Sequence, residues 1–572
     1  MTARLRAVEI RRPHRSKSMV TQRNGANLLV QLLEQHGVTH VFGIPGAKVD
    51  SVFMALKDSK IELVLCRHEQ NAAFMAQAFG RLTGKVGVCL VTSGPGVTNL
   101  VTGLATATYE GDPVLAIGGE VMVRDRLKHT HQALNGIDLM RPVTKYAAEP
   151  LNVEMIPEVF GNAVRAAESG RPGAVFIGLP KDVGLAPTDI VAQLGVGRRI
   201  RLGHPDSREV SIASDLINQA QRPLLLLGLQ SSEPCYAEFL REFLDQTGLP
   251  FVSTFQGAGA WAEPRRGRQY AGRVGLFSNQ PADRLLAAAD CVVTVGYDPI
   301  EYDASIWNKE KSRPLIVIDT VPSDQDRYFL PAAELIADIG LSLQALAPKI
   351  QRNEDPYFDG LVAESASELA KTVADGPAFE QFPVHPLRVI DEIRKVVTAD
   401  TTIALDVGSH YIWMNRYFPA NRARQVLVSN GQQTLGVALP WAIAAGLARP
   451  HCPVISISGD GGFLFSAMEL ETAKRVGSRF VHLIWNSASY DMVAFQEEAH
   501  YGETSGVELG SYDVVAYAES FGCQGYRITD PNQLCSVLKK ALASPVPVLI
   551  DIPIDYSDNP QLMQNVRQDF LG

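Results

Sequence analysis

Short apolar runs alternate with stretches of helical periodicity along almost the whole chain. Clear examples are residues 86–91, 113–118, 402–405, 454–458 and 481–485, and small or polar residues follow each of them. Runs with so little polar alternation predict strands that are buried on both faces, which requires helices on both sides of the sheet. The alternation therefore predicts an α/β fold built from doubly wound parallel sheets.

The same pattern recurs in three successive segments of similar size, so we expect three α/β domains in the 572-residue chain. The expected divisions are a disordered basic tail at 1–18, domains at 19–185, 206–350 and 384–572, and linkers at 186–205 and 351–383. Further strands are expected at 38–42, 61–66 and 175–179, then at 224–227, 250–254, 290–295 and 315–319, and finally at 425–428 and 546–552. The first and third domains share a pattern, which indicates a duplicated architecture.

Composition excludes several classes of partner. The net charge of −9 argues against nucleic acid or an anionic membrane as the main partner. No apolar run reaches the roughly 18 residues of a membrane span. Seven cysteines without Cys-x-x-Cys spacing are interpreted as reduced core residues of a cytoplasmic protein. The basic tail lacks the apolar segment of a secretory signal; a transit peptide, or translation starting at Met19, remains an alternative to a disordered tail.

Oxygen-bearing side chains follow two apolar runs of the third domain. The run at 454–458 ends in Gly459, Asp460, Gly461 and Gly462, and the run at 481–485 ends in a polar segment at 486–491. The carboxyl ends of parallel strands meet at one edge of a sheet, where ligands bind. Carboxylate, hydroxyl and carbonyl oxygens suit a Mg²⁺ whose coordination is completed by phosphate. A tight turn with Asp460 as its cap is the alternative.

Three other segments are candidates for the same site. Glu69 follows an apolar run and opens an apolar helix; it is either a carboxylate favoured by the helix dipole or a poorly solvated group that hydrogen-bonds a cofactor nitrogen and exchanges a proton. The turn at 92–99 is glycine-rich but matches neither a Walker A loop nor a dinucleotide fingerprint. The segments 406–410 and 429–436 could bring donors and backbone against a phosphate or a planar ligand, although an N-cap and a plain loop would serve as well.

Taken in order, these segments give the chain a family likeness. It resembles the thiamine-diphosphate enzymes of the acetohydroxyacid synthase group, and within that group the FAD-independent catabolic acetolactate synthases. The resemblance spans about residues 20–562. The stretches that carry it are 41–48, 67–75, 91–96, 141–146, 271–277, 429–434 and 458–463.

The resemblance implies pyrimidine-binding, central and pyrophosphate-binding domains, with thiamine diphosphate and Mg²⁺ as cofactors and no FAD. It implies decarboxylation of pyruvate and transfer of the hydroxyethyl carbanion to a second pyruvate, giving 2-acetolactate and CO₂. It also implies a homodimer or homotetramer whose active sites lie between subunits. A related carboligase or 2-oxo-acid decarboxylase with a different acceptor is the alternative, and a non-enzymatic relative is less consistent with the presence of Glu69 and Asp460.

Individual site residues follow from the same resemblance. The implied catalytic residues are Glu69, Gln132, Lys48 and Gln496. The implied cofactor-binding residues are Glu69, Gly96, Asp406, Gly408, Ser409, His410, Gln432, Gln433, Leu435, Gly459, Asp460, Gly461, Gly462, Tyr490, Asp491 and Met492. The implied metal ligands are Asp460, Ser487 and Ser489, where Ser487 departs from the family's usual Asn or Asp, Ala488 from its usual Asn, and Leu435 from the Met of close relatives.

Overall fold

Three six-stranded sheets, parallel throughout, organise the part of the chain that the structure describes. The structure is a computed structural model, and it describes residues 23–193, 200, 202–261, 269–310, 313–352 and 354–562. The predicted tail at 1–18 lies outside these residues, as do positions 194–199 and 201 of the first predicted linker. The prediction of parallel α/β sheets is confirmed.

The first sheet has the strand order β2-β1-β3-β4-β6-β5. Its strands are β1 His40–Gly43, β2 Glu62–Leu65, β3 Gly87–Val91, β4 Val114–Glu120, β5 Tyr146–Ala148 and β6 Ala174–Pro180. Its helices are α1 Gly25–His36, α2 Asp50–Leu56, α3 Glu69–Thr83, α4 Pro95–Thr98, α5 Val101–Tyr109, α6 Gly136–Met140, α7 Ile156–Glu168 and α8 Lys181–Leu185. Local sequence sets the limits of α1, because Asn24 and Asn27 form a capping box and Gly37 ends the helix with φ +83°.

The central sheet has the order β12-β11-β10-β7-β8-β9. Its strands are β7 Pro223–Leu227, β8 Phe251–Thr254, β9 Tyr270–Val274, β10 Cys291–Val295, β11 Leu315–Asp319 and β12 Ala333–Ile336. Its helices are α9 Ser207–Gln219, α10 Ala237–Thr247, α11 Asp283–Ala288, α12 Ala304–Trp307 and α13 Ile339–Leu346. The helix α14 Pro356–Ala374 then occupies much of the predicted second linker.

The third sheet has the order β14-β13-β15-β16-β18-β17. Its strands are β13 Thr402–Leu405, β14 Val426–Leu427, β15 Val454–Gly459, β16 Val481–Asn486, β17 Gln524–Arg527 and β18 Val548–Pro553. Its helices are α15 Pro386–Arg394, α16 Ser409–Tyr417, α17 Ala438–Ala448, α18 Asp460–Leu464, α19 Leu470–Val476, α20 Asp491–Tyr501, α21 Val514–Ser520, α22 Leu534–Leu542 and α23 Asn559–Leu562.

The first and third sheets have the same topology. Counting strands from the start of each sheet, both follow the order 2-1-3-4-6-5. In such a sheet the strand order reverses between the first and third strands, and ligands bind in the crevice beyond their carboxyl ends. Two equivalent crevices therefore exist, one beyond β1 and β3 and one beyond β13 and β15.

A buried ionic cluster joins the three domains. Arg81 of α3 binds both carboxylate oxygens of Asp112, at 2.8 and 2.6 Å, and donates to the carbonyl of Val428 in the third domain at 2.8 Å. Glu110 accepts a hydrogen bond from Gln256 of the central domain and from the backbone amide of Asn430. The cluster fixes the segment that leads out of β14 against the first domain.

The structure tests two predictions made from composition, one about membrane-spanning helices and one about the cysteines. Within the described ranges, no helix is both long enough and apolar enough to traverse a bilayer. None of the seven cysteines, all of which lie within the described residues, forms a disulfide, and Cys66, Cys89, Cys291 and Cys523 are buried, as the core interpretation requires. That interpretation is wrong for Cys235, which is exposed because it follows the turn after β7 rather than lying in a strand.

Candidate active site

The two polar strand ends of the third domain meet at one edge of the sheet. Strands β15 and β16 pair in parallel so that Gly459 lies opposite Trp485. Asp460 begins the helix after β15 and is 2% exposed. The backbone amide of Ser487 donates to Oδ1 of Asp460 at 3.4 Å. Burial raises the pKa of Asp460, and a bound cation would offset that cost.

The turn after β16 presents several oxygens beside Asp460. The Ser487 hydroxyl donates to the carbonyl of Ser489 at 3.2 Å and lies 3.5 Å from Oδ1 of Asp491. Ala488 has φ +54°, a left-handed conformation that favours Asn or Gly over Ala. The turn is held by the amide of Leu509, which donates to the Ala488 carbonyl at 2.9 Å.

Asn486 is turned away from this group of oxygens. Its side-chain amide donates to Oδ1 of Asp551 at 3.0 Å, and Asp551 also forms an ion pair with Arg527 at 3.1 Å. The Asn486 side-chain oxygen accepts from the amide of Ala488 at 3.3 Å. Asn486 therefore stabilises the turn through Ala488 and Asp551, and its side chain does not face Asp460.

Asp406 binds backbone amides. Its carboxylate accepts from the amides of Val407 at 2.9 Å, Gly436 at 2.9 Å and Ala438 at 3.4 Å. Burial raises its pKa to about 7. Asp406 thus links the end of β13 to the loop at 429–436. Gly462 also lies close to Asp406, because a Cβ at Gly462 would be 3.4 Å from the Asp406 carboxylate.

His410 lies at the start of α16 with two unpartnered nitrogens. Both ring nitrogens are buried, and among the described residues neither has a hydrogen-bond partner at ordinary geometry, although the backbone of Asp406 is close by. Burial lowers the pKa of His410 to about 3, so the ring is neutral and can donate through one nitrogen. A Cβ at Gly408 would lie 2.6 Å from the ring, and one at Gly459 would lie 3.9 Å from it. These glycines leave the cradle around His410 free of side chains.

Further polar atoms border the same region. Asn559 donates to the hydroxyl of Ser409 at 2.8 Å. Among the described residues, the buried Trp485 Nε1 has no partner, and the buried Tyr556 hydroxyl faces the backbone of His410. Tyr490 packs over Gly461, where a Cβ would lie 2.6 Å from its ring. Sequence reasoning missed Trp485, Tyr556 and Asn559, which no local motif marks.

Glu69 is the corresponding acidic residue of the first domain. It is half-buried at the start of α3, after His68, whose side chain caps the helix by accepting from the amide of Gln70. The Asn99 side-chain amide donates to Oε2 of Glu69 at 2.9 Å. A Cβ at Gly96 would lie 3.6 Å from Oε1. Asn99 is the last residue of the turn predicted at 92–99. The sequence pattern predicts the turn but not the hydrogen bond from Asn99 to Glu69.

Gln132 and Lys48 lie at the same edge of the first sheet. The side-chain oxygen of Gln132 accepts from the Ser93 hydroxyl at 3.2 Å, just after β3. Gln132 has φ +59°, and its side chain lies against Gly94. The stem of Lys48 packs beside Gly119 near the end of β4.

The loop at 429–436 and helix α20 carry the remaining predicted residues. Oxygen Oε1 of Glu110 accepts from the amides of Asn430 and Gly431, both at 2.8 Å. In this anchored loop Gln433 has φ +45°, Gln432 is exposed, and Leu435 is half-buried. Met492 and Gln496 are half-buried on α20, which begins directly after the turn that follows β16.

Comparison with known proteins gives matches for all three domains. Profiles of the thiamine pyrophosphate enzymes match residues 23–139 (N-terminal TPP binding domain), 210–346 (central domain) and 406–552 (C-terminal TPP binding domain). The chain is 48% identical over 550 residues to "Acetolactate synthase" of Bacillus subtilis (95% of each chain). It is 44% identical to "Acetolactate synthase, catabolic" of Raoultella terrigena (94% and 96%) and 33% identical to a "Probable acetolactate synthase large subunit" of Methanocaldococcus jannaschii (93% and 92%).

The chain belongs to the acetolactate synthase family of thiamine pyrophosphate enzymes. For a member of this family, the donor set of the third domain fits a diphosphate and its metal. The unpartnered atoms around His410 can bind phosphate oxygens, and the glycines at 408 and 459 leave room for them. Within the described ranges, no three His, Cys, Asp or Glu side chains form a metal-binding group, so a cation here needs hydroxyl, carbonyl or phosphate oxygens as well.

Proposed function

We infer that this member of the family condenses two pyruvates to 2-acetolactate and CO₂, with thiamine diphosphate and Mg²⁺ as cofactors. The observation that carries this proposal is the pair of polar sites at equivalent sheet edges, Glu69 beside Gly96 in one domain and the Asp460–His410 cradle in another. Full-length likeness to proteins named acetolactate synthase supports the choice of reaction.

In the proposed mechanism, the third domain holds the diphosphate and its ion. Ser409 and His410 at the start of α16 would bind phosphate oxygens, where the helix N-terminus also favours negative charge. Asp460, the Ser487 hydroxyl and the Ser489 carbonyl would bind Mg²⁺. Asp406 holds the loop at 429–436 by accepting from the backbone amides of Gly436 and Ala438, and this loop would bring Leu435 and Gln433 to the cofactor.

Glu69 performs the proton step in this proposal. Thiamine diphosphate, when bound, would supply the electron sink that decarboxylation of pyruvate needs. Glu69 would exchange a proton with the aminopyrimidine ring, and Asn99 would hold the carboxylate in place through Oε2. Gln132, Lys48 and Gln496 are proposed to face the substrates. Exclusion of water around them would limit the loss of the two-carbon unit as acetaldehyde.

We further propose a homodimer or homotetramer with active sites shared between subunits. Large apolar side chains are exposed directly after Asp460: Leu464 is 49% exposed, Phe465 46% and Met468 36%. A contiguous exposed apolar segment next to a binding site is typical of an interface. A second copy covering it could bring its Glu69 to this cofactor site.

FAD is not part of the proposal. In the central sheet the strand order reverses between β7 and β10, which is where a dinucleotide would bind. The buried carboxylate of Glu301 occupies that position, because it accepts from the amide of Leu229 at 3.0 Å and from the Thr254 hydroxyl at 2.6 Å. A phosphate at this amide would have to displace Glu301.

The domain limits and the location of the protein are also proposals. We propose a pyrimidine-binding domain at 19–185, a central domain at 206–350 and a pyrophosphate-binding domain at 384–572, joined by linkers at 186–205 and 351–383. We propose a cytoplasmic protein, in keeping with the buried thiols of Cys66, Cys89 and Cys291.

One assay tests the proposed reaction. Purified protein is incubated with pyruvate, Mg²⁺ and thiamine diphosphate, with and without FAD, and acetolactate and acetaldehyde are measured. We expect acetolactate as the main product and no response to FAD. Absence of acetolactate under every condition would contradict the proposal, and CO₂ release only after a second carbonyl compound is added would favour the carboligase with a different acceptor.

A further inference from the structure

The proposed metal site has an unusual charge. Of its three proposed protein ligands, Asp460 is the one with a charged side chain, because the second position is the neutral Ser487 and the third is the backbone carbonyl of Ser489. A hydroxyl is a weaker ligand for Mg²⁺ than a carboxylate. The site therefore either binds Mg²⁺ weakly or has a second carboxylate ligand from another residue.

Asp491 lies where such a carboxylate is needed. Its Oδ1 is 3.5 Å from the Ser487 hydroxyl, which is itself 3.2 Å from the Ser489 carbonyl. Neighbouring oxygens around a Mg²⁺ are about 3.0 Å apart, given metal–oxygen distances of about 2.1 Å. The spacing of these three oxygens is therefore close to that of adjacent ligands on one small cation.

The other oxygen of Asp491 has no partner. Its Oδ2 is buried and accepts no hydrogen bond in the structure. Ser409 and Asn559 hydrogen-bond the Asp491 carboxylate, and Asp460, which has the same negative sign, faces it. Two carboxylates of like charge in a poorly solvated place repel each other, and a cation between them would remove that cost.

We propose that Asp491 supplies the second carboxylate of the Mg²⁺ site, in place of the residue that Ser487 replaces. The inference rests on the proposed function for the presence of Mg²⁺ at Asp460. According to this proposal, the second carboxylate of the site is at position 491, the first residue of α20, and not at position 487. In this proposal the Ser487 hydroxyl stays a weak neutral ligand, and the Asp491 carboxylate lies beside it.

The test measures metal binding directly. Mn²⁺ serves as the probe, and its free concentration is followed by electron paramagnetic resonance in the presence of thiamine diphosphate. Wild type, Asp491→Asn, Asp460→Asn and a control variant, Glu498→Gln, are compared. Glu498 lies exposed on the same helix, so its substitution tests any general effect on α20. We expect Asp491→Asn and Asp460→Asn each to weaken Mn²⁺ binding by at least about 10-fold, and Glu498→Gln to leave it unchanged.

A double variant separates a ligand role from a structural one. Ser487→Asp combined with Asp491→Asn returns a carboxylate to the turn, so we expect it to recover most of the lost Mn²⁺ affinity. If Asp491→Asn fails to fold by circular dichroism, Asp491→Ser replaces it in both comparisons. Recovery in the double variant supports the inference, and a double variant as weak as Asp491→Asn overturns it.

The remaining outcomes distinguish this inference from the proposed function. If Asp460→Asn loses Mn²⁺ while Asp491→Asn binds it within twofold of wild type, the inference is overturned and the metal site at Asp460 stands. If wild type with thiamine diphosphate binds no Mn²⁺, the proposed metal cofactor is wrong, and the role of Asp491 falls with it.

Discussion

The side-chain amide of Asn99 donates to Oε2 of Glu69 at 2.9 Å, across the gap between the turn after β3 and the start of α3. This bond leaves Oε1 on the side of Gly96, where the absent Cβ provides space. One oxygen of Glu69 is thus fixed by the protein and the other is available to a ligand. A proton-transferring carboxylate needs this division, because the working oxygen must be oriented and free at once.

Replacement of Glu69 by Gln should remove proton transfer and keep the shape of the site. We expect kcat to fall by about 100-fold or more, since general acid–base catalysis contributes about 10²–10⁴-fold. Thiamine diphosphate binding, measured by quenching of tryptophan fluorescence, should persist. Glu154→Gln, at an exposed position of the same domain, is the control. Full activity of the Glu69 variant would exclude it from the proton step.

Replacement of Asn99 by Ala should act through Glu69. The lost hydrogen bond to a carboxylate is worth about 1.5–3 kcal/mol, so we expect kcat to fall by about 10-fold or more. Asn99→Asp, which cannot donate to a carboxylate when ionised, should behave no better than Asn99→Ala. An unchanged kcat in Asn99→Ala, with KM also unchanged, would mean that Asn99 does not position Glu69.

The cluster at the domain junction should be sensitive to loss of its cation. Arg81→Met leaves Asp112 and Glu110 buried without their guanidinium partner. Breaking a buried ion pair in this way costs about 3–5 kcal/mol, so a marked fall in Tm is expected in a thermal melt. Arg241→Met removes an exposed ion pair with Glu238 and should cost less than about 1 kcal/mol. Equal melting of the two variants would contradict the assignment.

Glu120 should make the protein less stable as the pH rises. Burial, and then the nearby Glu149, raise the pKa of Glu120 to about 8 from 4.5. Between about pH 4.5 and 8, Glu120 therefore keeps its proton in the folded chain but has lost it in the unfolded chain. The free energy of unfolding falls as the pH rises through this window, because the unfolded chain binds fewer protons there. Glu120→Gln cannot ionise. Its Tm, relative to wild type, should rise between pH 5 and pH 8 by more than the roughly 2–4 °C that corresponds to 1 kcal/mol in a domain of 150–250 residues. A difference in Tm that does not change with pH would refute this.

Gly461 should not tolerate a side chain. A Cβ there would lie 2.6 Å from the ring of Tyr490, which would have to move. Because Tyr490 begins the segment that leads into α20, we expect Gly461→Ala to weaken thiamine diphosphate binding by about 10-fold, with the fold intact. Gly360→Ala, in an open position within α14, is the matched control. Calorimetric titration with the cofactor in excess Mg²⁺ gives both affinities.

The strands that sequence reasoning missed lie at the edges of the sheets. They are β5, β9, β12 and β17. Of these, β5 is half-buried throughout, β12 alternates between buried and half-buried residues, and β17 is exposed at both ends. Central strands are covered on both faces and need continuous apolar runs, whereas an edge strand needs little apolar sequence and resembles a loop. The core strands at 402–405 and 454–458, by contrast, were predicted almost to the residue.

By itself, the sequence determined the parallel α/β class and the polar strand ends around Glu69, Asp406 and Asp460, because buried strands and glycine-rich turns leave a local pattern. Only the tertiary structure decided what those ends do. In the structure the Asp406 carboxylate accepts hydrogen bonds from the amides of Gly436 and Ala438. The Asn486 side chain donates to Asp551, and Asp491 lies beside Ser487. These contacts depend on the direction in which each side chain points once strands distant in sequence are paired, and no local pattern encodes that direction.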